Sequence, residues 1–209
     1  MSLATLTARR ELLGTMAMAV AAGASSSRFS EAAPIARPSD AQVLVAYLSR
    51  TGNTRVIANQ IRRALAADIV EIEPATPYPE DYETTVAQAE RERVSGFEPE
   101  LKAVVPHINA YRAVFLGFPI WGTTAPSVIR SFLSKHDLTG TTLIPFITHG
   151  GYGPGNSMAV VARHAPGARL RSPFVMQAPQ ERQTLAQVSR FLSGVTLPRE
   201  TIEQNTPNP

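Results

Sequence analysis

The chain has 209 residues, of which 44% are hydrophobic and 18% are charged, and its formal net charge is +3. This length and composition fit one globular domain or two small ones, and they exclude a collagen-like, coiled-coil or wholly disordered chain. Cysteine is absent, so disulfides, thiolate metal sites and cysteine nucleophiles are excluded. No apolar run reaches the roughly 18 residues that a membrane span requires, and the scattered basic residues give no indication of nucleic-acid binding.

The first 24 residues resemble an export signal. Arg9 and Arg10 precede a weakly apolar stretch over residues 14–23, and small residues at positions 22–24 offer a cleavage site. The paired arginines resemble a twin-arginine signal, which implies export to the periplasm of a protein that first folds around a cofactor. Three residues depart from the commoner pattern of that signal: Ala8, Leu12 and Gly14. An amphipathic helix and a mitochondrial transit peptide are the alternative interpretations of this segment.

Composition divides the rest of the chain into three parts. Residues 25–41 are rich in Ser, Ala and Pro and are predicted to be a linker. Residues 42–194 carry the strand and helix patterns and are predicted to form the folded domain. Residues 195–209 are polar and contain three prolines, so they are predicted to be a surface or disordered tail.

The predicted domain alternates strands with helices. Val43–Leu48 is a continuous apolar run, as expected of a parallel strand that is buried on both faces, whereas residues 54–66 place apolar side chains at helical spacing. The five predicted strands span residues 43–48, 69–72, 113–118, 142–148 and 170–176, the last interrupted by Pro173. The five predicted helices span residues 54–66, 80–93, 126–133, 156–164 and 180–192. This alternation predicts a doubly wound α/β fold, a five-stranded parallel sheet between two helical layers.

Several polar residues are predicted to have structural rather than chemical roles. The charged residues of the second helix, among them Glu90, Glu92 and Arg93, are predicted to form a solvated face. Thr124 is predicted to cap the third helix. Three histidines at loop or helix-end positions are predicted to be structural: His107, His136 and His164. Paired histidines at metal-binding spacing are absent, so no metal site is predicted, and no residue is predicted to be catalytic.

The segment after the first strand is predicted to bind a phosphate group. It reads Ser49-Arg50-Thr51-Gly52-Asn53-Thr54 and leads into a helix, whose first N–H groups are unpaired and whose dipole favours an anion. No lysine stands where a nucleoside triphosphate loop has one, so a monophosphate fits better. The alternative interpretation is an ordinary helix-capping turn, since Ser, Thr and Asn are common there.

This segment matches the phosphate loop of the flavodoxin family, Ser/Thr-x-Thr-Gly-x-Thr. Three further landmarks keep the same order: Tyr78-Pro79-x-x-Tyr82, residues 117–126 (GFPIWGTTAP) and residues 148–157 (THGGYGPGNS). Over about residues 42–193 the chain therefore resembles a flavodoxin-like subfamily of small FMN-binding proteins. The resemblance implies the strand order 2-1-3-4-5, with FMN bound beyond the carboxyl ends of the strands.

The loops after the first, third and fourth strands are predicted to supply the FMN site. The predicted cofactor-binding residues are Ser49, Arg50, Thr51, Gly52, Asn53, Thr54, Pro119, Ile120, Trp121, Gly122, Thr123, His149, Gly150, Gly151 and Tyr152. Trp121 is predicted to stack on or border the flavin, with a core aromatic as the alternative. Tyr152 either covers the other ring face or is a surface aromatic. His149 either donates a proton to the flavin or stabilises the anionic reduced ring, with a helix- or loop-capping role as the alternative.

The resemblance implies an FMN-binding redox protein that passes electrons to a partner protein or a small-molecule acceptor. The alternative is an enzyme that takes hydride from NAD(P)H and reduces a quinone. A third class is a non-redox interaction scaffold, which the presence of the first loop disfavours. Carrier flavodoxins are usually acidic, and the positive net charge of this chain departs from that pattern.

Overall fold

The computed structural model describes residues 42–178 and 181–197. The predicted export signal and linker, and the tail from residue 198 onward, lie outside the described residues. The strands are β1 (Val43–Tyr47), β2 (Asp68–Glu71), β3 (Ala113–Pro119), β4 (Thr142–His149), β5 (Arg169–Leu170) and β6 (Phe174–Gln177). The α-helices are α1 (Asn53–Leu65), α2 (Tyr82–Ser95), α3 (Ser127–Lys135), α4 (Ser157–His164) and α5 (Glu181–Ser193), with a 3₁₀ turn at Ile108–Ala110.

The strands form one parallel sheet in the order β2-β1-β3-β4-β5, which confirms the predicted fold. The predicted fifth strand is divided in two. β5 pairs with the start of β4, where Leu143 is opposite Leu170, and β6 pairs with its end, where Phe146 is opposite Phe174. Pro173 lies in the gap between the two pieces, and a proline cannot donate a ladder hydrogen bond there.

Alternate residues of β1 face two separate hydrophobic clusters. Leu44 and Ala46 belong to the cluster that includes residues of α3 and α4, whereas Val45 and Tyr47 belong to the cluster that includes residues of α1. Because helices cover both faces, every residue of β1 is buried. The carboxyl ends of β1, β3 and β4 are therefore the part of the sheet where loops can open a site.

The prediction that Thr124 caps the third helix is wrong. The helix begins at Ser127 after Pro126, without a side-chain cap. Thr124 is buried, and its backbone exchanges two hydrogen bonds with Trp121, at 3.0 and 3.2 Å. Its backbone is committed to a turn that precedes the helix, so Thr124 lies too early in the chain to reach the first N–H groups of α3.

His136 is structural, as predicted. It is buried at the end of α3, where Nδ1 donates to the carbonyl oxygen of Phe132 at 2.7 Å and Nε2 accepts from the N–H of Val105 at 2.8 Å. Burial lowers the pKa of His136 below its usual value, although the hydrogen bond to Phe132 opposes that shift. The folded protein therefore favours the neutral ring.

We expect the free energy of unfolding to fall as the pH drops below the ordinary histidine pKa of about 6.5. In that range the unfolded chain binds a proton that the folded His136 does not, which lowers stability by up to about 1.4 kcal/mol per pH unit. Denaturant unfolding at several pH values measures the slope. His136→Gln is neutral at every pH and should lose this part of the pH dependence, and an unchanged slope in that variant would contradict the assignment.

Candidate functional site

The loop after β1 leaves hydrogen-bond donors open at the start of α1. Gly52 precedes the helix with φ +90°, a left-handed conformation that favours glycine, and its N–H donates to Ser49 Oγ at 3.1 Å. The N–H of Arg55 also donates to Ser49 Oγ, at 3.3 Å. Within the part of the chain that the structure describes, the N–H groups of Asn53 and Thr54 have no partner. No acidic residue lies in the first turn of α1, so the donors and the helix dipole are available to an anion.

The two threonine hydroxyls of this loop have different surroundings. Thr51 Oγ1 accepts from Asn53 Nδ2 at 3.0 Å in an exposed position. Thr54 is buried, and its hydroxyl shares a hydrogen bond of 2.9 Å with the hydroxyl of Thr148. Thr54 therefore ties the start of α1 to the end of β4, and Thr51 is the hydroxyl that faces the cavity described below.

The loop after β3 is a tight turn over Trp121–Thr124. The two ends exchange backbone hydrogen bonds, and the central residues Gly122 and Thr123 have φ +53° and +71°. Positive φ at both central residues is the pattern of a type I′ turn, which glycine and asparagine adopt readily but a β-branched threonine does not. Thr123 is therefore held in this conformation by its neighbours.

The loop after β4 supplies those neighbours. The N–H of Asn156 donates to the carbonyl oxygen of Thr123 at 3.1 Å, and a Cβ placed on Gly155 would lie 1.8 Å from that oxygen. His149 Nδ1 accepts from the N–H groups of Gly151 and Gly153, each at 3.1 Å. Because Nδ1 is an acceptor here, the ring hydrogen of neutral His149 lies on Nε2.

These loops surround a cavity of about 330 Å³ beyond the carboxyl ends of β1, β3 and β4. Nine of the predicted cofactor-binding residues line it: Arg50, Thr51, Asn53, Pro119, Ile120, Trp121, Gly122, His149 and Gly150. Thr148 and Ala178 line it as well. The other predicted residues, Ser49, Gly52, Thr54, Thr123, Gly151 and Tyr152, lie in the same loops but not in the cavity wall, and the Tyr152 side chain is 93% exposed.

Helix α2 forms a wall of the cavity that the sequence analysis missed. The lining residues that it contributes are Tyr82, Thr85, Val86, Ala89, Glu90 and Arg93. Arg50 joins the first loop to this helix, because its guanidinium lies 5.4 Å from the centre of the Tyr82 ring and donates to the carbonyl oxygen of Glu80 at 2.9 Å. The Tyr78-Pro79-x-x-Tyr82 landmark was the signal that could have placed this helix at the site.

The prediction of a solvated charged face on α2 is wrong for Glu92, which is buried, with 6% of its surface exposed. Glu90 and Arg93 are exposed, as predicted, and form an ion pair with each other at the cavity wall. The pattern of charges did not predict the burial of Glu92, because its partner comes from another segment of the chain. That partner is Tyr78, whose hydroxyl donates to Glu92 Oε2 at 2.8 Å.

A second cavity, of about 540 Å³, lies on the β2 side of the same sheet edge. Arg50 and Trp121 line both cavities, so these two residues lie between the two spaces. Two ion pairs line it, Arg55 with Glu71 at 2.7 Å and Lys102 with Glu73 at 2.9 Å. Arg50 takes part in none of the described ion pairs.

None of the described helices is both long enough and apolar enough to cross a bilayer.

Comparison with known proteins gives one family and several related structures. A family model described as flavodoxin matches residues 42–190. No curated protein matches the chain. The chain is similar to two proteins that were provisionally assigned as flavoproteins. The one from Bacteroides eggerthii is 30% identical, with a TM-score of 0.62 over 73% of this chain and 99% of that chain. The one from Bacteroides uniformis is 27% identical, with a TM-score of 0.63 over 71% of this chain and 98% of that chain.

A more distant structure shares the fold alone. It is a flavoprotein from Lactobacillus acidophilus that was crystallised in complex with FMN. It is 18% identical to this chain, with a TM-score of 0.57 over 65% of this chain and 93% of that chain.

Proposed function

This chain belongs to the flavodoxin family, and from that premise we propose that it binds FMN in the cavity of about 330 Å³ and serves as an electron carrier. The observation that carries the proposal is the pairing of open backbone donors at the start of α1 with an aromatic wall at Trp121, both on one cavity. When bound, FMN would supply the redox chemistry, and the protein would supply binding, orientation and electrostatics.

The first loop fits a phosphate monoester. The N–H groups of Asn53 and Thr54 are without partners in the described chain, and nothing lies within 4 Å of the Cβ position of Gly52. Arg50, which has no carboxylate partner among the described ion pairs, adds a positive charge beside these donors. A dianionic phosphate would satisfy both the open donors and this charge.

The remainder of the cavity fits a flat ring. Ile120 and Trp121 form one part of its wall, and Val86 and Ala89 of α2 form another. His149 also lines the cavity and has Nε2 as its remaining donor, because Nδ1 already accepts from the loop. An isoalloxazine offers such a site apolar faces together with a polar edge that can accept a hydrogen bond.

Binding of FMN to the purified domain tests the proposal. Trp121 is the only tryptophan in the sequence, so its emission reports on the cavity without labelling. We expect saturable quenching of Trp121 emission as FMN is added, together with a shift of the flavin absorbance. A protein that is folded by circular dichroism but shows neither change with excess FMN would overturn the proposal.

The second cavity favours one alternative function, an FMN-dependent reductase that uses NAD(P)H. This cavity of about 540 Å³ is lined by Trp121 and Arg50, which also line the proposed FMN site. A second substrate could therefore bind beside the cofactor. Steady-state oxidation of NADH or NADPH with a quinone as acceptor distinguishes the two functions. Turnover supports the reductase, whereas reduction by a partner protein without turnover supports the carrier.

We also propose that residues 1–24 direct export to the periplasm through the twin-arginine route and that residues 42–194 form the exported domain. The pair Arg9-Arg10 before a modest apolar stretch supports this proposal. Replacing both arginines by lysine in the full chain should leave the protein in the cytoplasmic fraction, whereas wild type should reach the periplasm. Equal periplasmic amounts of both proteins would contradict it.

A further inference from the structure

Trp121 packs against another aromatic residue, Tyr78, which does not line the first cavity. The Tyr78 ring meets the Trp121 ring edge to face, with 4.9 Å between the ring centres and an angle of 84° between the planes. Tyr78 lines the second cavity but not the first, so it contacts Trp121 away from the proposed flavin position. The orientation of Trp121 therefore depends on where Tyr78 is held.

Tyr78 is held by a buried carboxylate. Its hydroxyl donates to Glu92 Oε2 at 2.8 Å, and Gln88 Nε2 donates to Glu92 Oε1 at 2.9 Å. Burial, and then the hydrogen bond to Glu92, raise the pKa of Tyr78 far above its usual value, so the hydroxyl remains a donor. Both carboxylate oxygens of Glu92 are thus occupied by neutral donors.

Glu92 lacks a cationic partner among the described ion pairs, although it is 6% exposed. The nearby Arg130 donates through Nη2 to the backbone oxygen of Glu92, at 3.1 Å, and not to its carboxylate. Burying a carboxylate without a cation is unfavourable for folding. Among the described residues, the Tyr78 hydroxyl is the one hydrogen-bond donor to the Glu92 carboxylate that comes from outside α2.

The same helix borders the proposed flavin site directly. Val86, Ala89 and Glu90 line the cavity, and Glu92 projects from the next turn toward Tyr78. Helix α2 therefore contacts the site twice, once through its own lining residues and once through Tyr78 and Trp121.

We propose that Tyr78 and Glu92 are positioning residues, which fix Trp121 as a wall of the flavin site and couple its orientation to helix α2. This inference rests on the proposed function, because it assigns Trp121 to the FMN site. It gives a role to the buried carboxylate of Glu92, to which neither the phosphate loop nor the loops after β3 and β4 donate a described hydrogen bond.

Tyr78→Phe tests the proposal, because it keeps the ring but removes the hydroxyl. We expect the emission of Trp121 in the FMN-free protein to shift to longer wavelength and to become more accessible to acrylamide. We expect FMN to bind about tenfold more weakly, on the scale of one hydrogen bond to a charged group. Glu92→Gln should change both readouts in the same direction, and its measurements decide the matter if Tyr78→Phe does not fold.

Two matched variants control for a general loss of stability. Tyr111→Phe also removes a buried tyrosine hydroxyl that donates to a carboxylate, Asp68 Oδ2 at 2.6 Å, but Tyr111 lines neither cavity. Glu83→Gln removes an exposed carboxylate from the first turn of the same helix. We expect wild-type Trp121 emission and FMN affinity in both controls.

The outcomes separate this inference from the proposed function. If wild type fails to bind FMN, the proposed function fails, but the emission of Trp121 in Tyr78→Phe still tests the positioning role. If wild type binds FMN while Tyr78→Phe and Glu92→Gln match their controls in emission, quenching and affinity, the positioning role is overturned and the proposed function stands.

Discussion

Gly155→Ala is expected to abolish FMN binding and to lower the free energy of unfolding by about 4 kcal/mol. Gly155 has φ +54°, and an added Cβ would lie 1.8 Å from the carbonyl oxygen and 2.6 Å from the carbonyl carbon of Thr123. Both atoms belong to the backbone of the tight turn that follows Trp121, so the new methyl group cannot be accommodated by a change of rotamer. The loops after β3 and β4 would have to move apart.

Gly140→Ala is the matched control for this substitution. Gly140 has φ +74°, but no atom lies within 4 Å of its Cβ position, and it lies outside both cavities. This control measures the free-energy cost of placing alanine in a left-handed backbone conformation, about 1 kcal/mol, without a collision like the one with Thr123. Denaturant unfolding and FMN titration of both variants provide the measurement. Equal effects of the two substitutions would show that the loops do not interlock through Gly155.

Asn53→Asp is expected to weaken FMN binding by more than about a hundredfold while it stabilises the FMN-free protein. The new carboxylate would lie at the first position of α1, where the donors of Asn53 and Thr54 are open and no acidic residue is present. A negative charge there interacts favourably with the helix dipole, by about 0.3–1 kcal/mol, but it repels a phosphate at the same place. Opposite signs in stability and affinity are characteristic of an anion site.

Asn53→Ala is the control that removes the amide without adding charge. It loses the hydrogen bond from Nδ2 to Thr51 Oγ1, so we expect only a moderate loss of FMN affinity, about tenfold or less. Calorimetric titration with FMN and thermal unfolding of the FMN-free proteins measure the two effects. If Asn53→Asp bound FMN as tightly as Asn53→Ala, the start of α1 would not be the phosphate site.

The fold could be predicted from sequence because its signals are local. The apolar run of β1 and the helical spacing of Ile57, Ala58 and Ile61 in α1 are set by burial on both sides of a parallel sheet. Pro173 marked the interruption of the last strand for an equally local reason. The phosphate loop is also local, since six consecutive residues contain its turn and the start of its helix.

The wall formed by α2 could not be predicted in the same way. Glu92 is separated by 14 residues from Tyr78. Arg93 approaches the loop after β3, where its Nε lies 3.9 Å from the Cβ position of Gly122. In the sequence these charged residues follow one another like those of any solvated helix. The burial of Glu92 and the approach of Arg93 to Gly122 depend on partners that only the folded chain brings to them, and a periodic pattern contains no record of those partners.

The conformation of Thr123 was unpredictable for a related reason. A β-branched residue disfavours positive φ, so its own preference argues against the turn that it occupies. The hydrogen bond from Asn156 and the close approach of Gly155 hold it there, and both come from the loop after β4. Local preference was overridden by a contact between two loops 32 residues apart in the chain.

The most direct test of the phosphate site is the affinity of the wild-type protein for FMN compared with riboflavin, which has the same ring but no phosphate. Asn53 and Thr54 have open donors and Arg50 takes part in none of the ion pairs among the described residues, so FMN should bind at least about a hundredfold more tightly than riboflavin. Equal affinities for the two compounds, or tighter binding of riboflavin, would contradict the assignment of this loop to the phosphate.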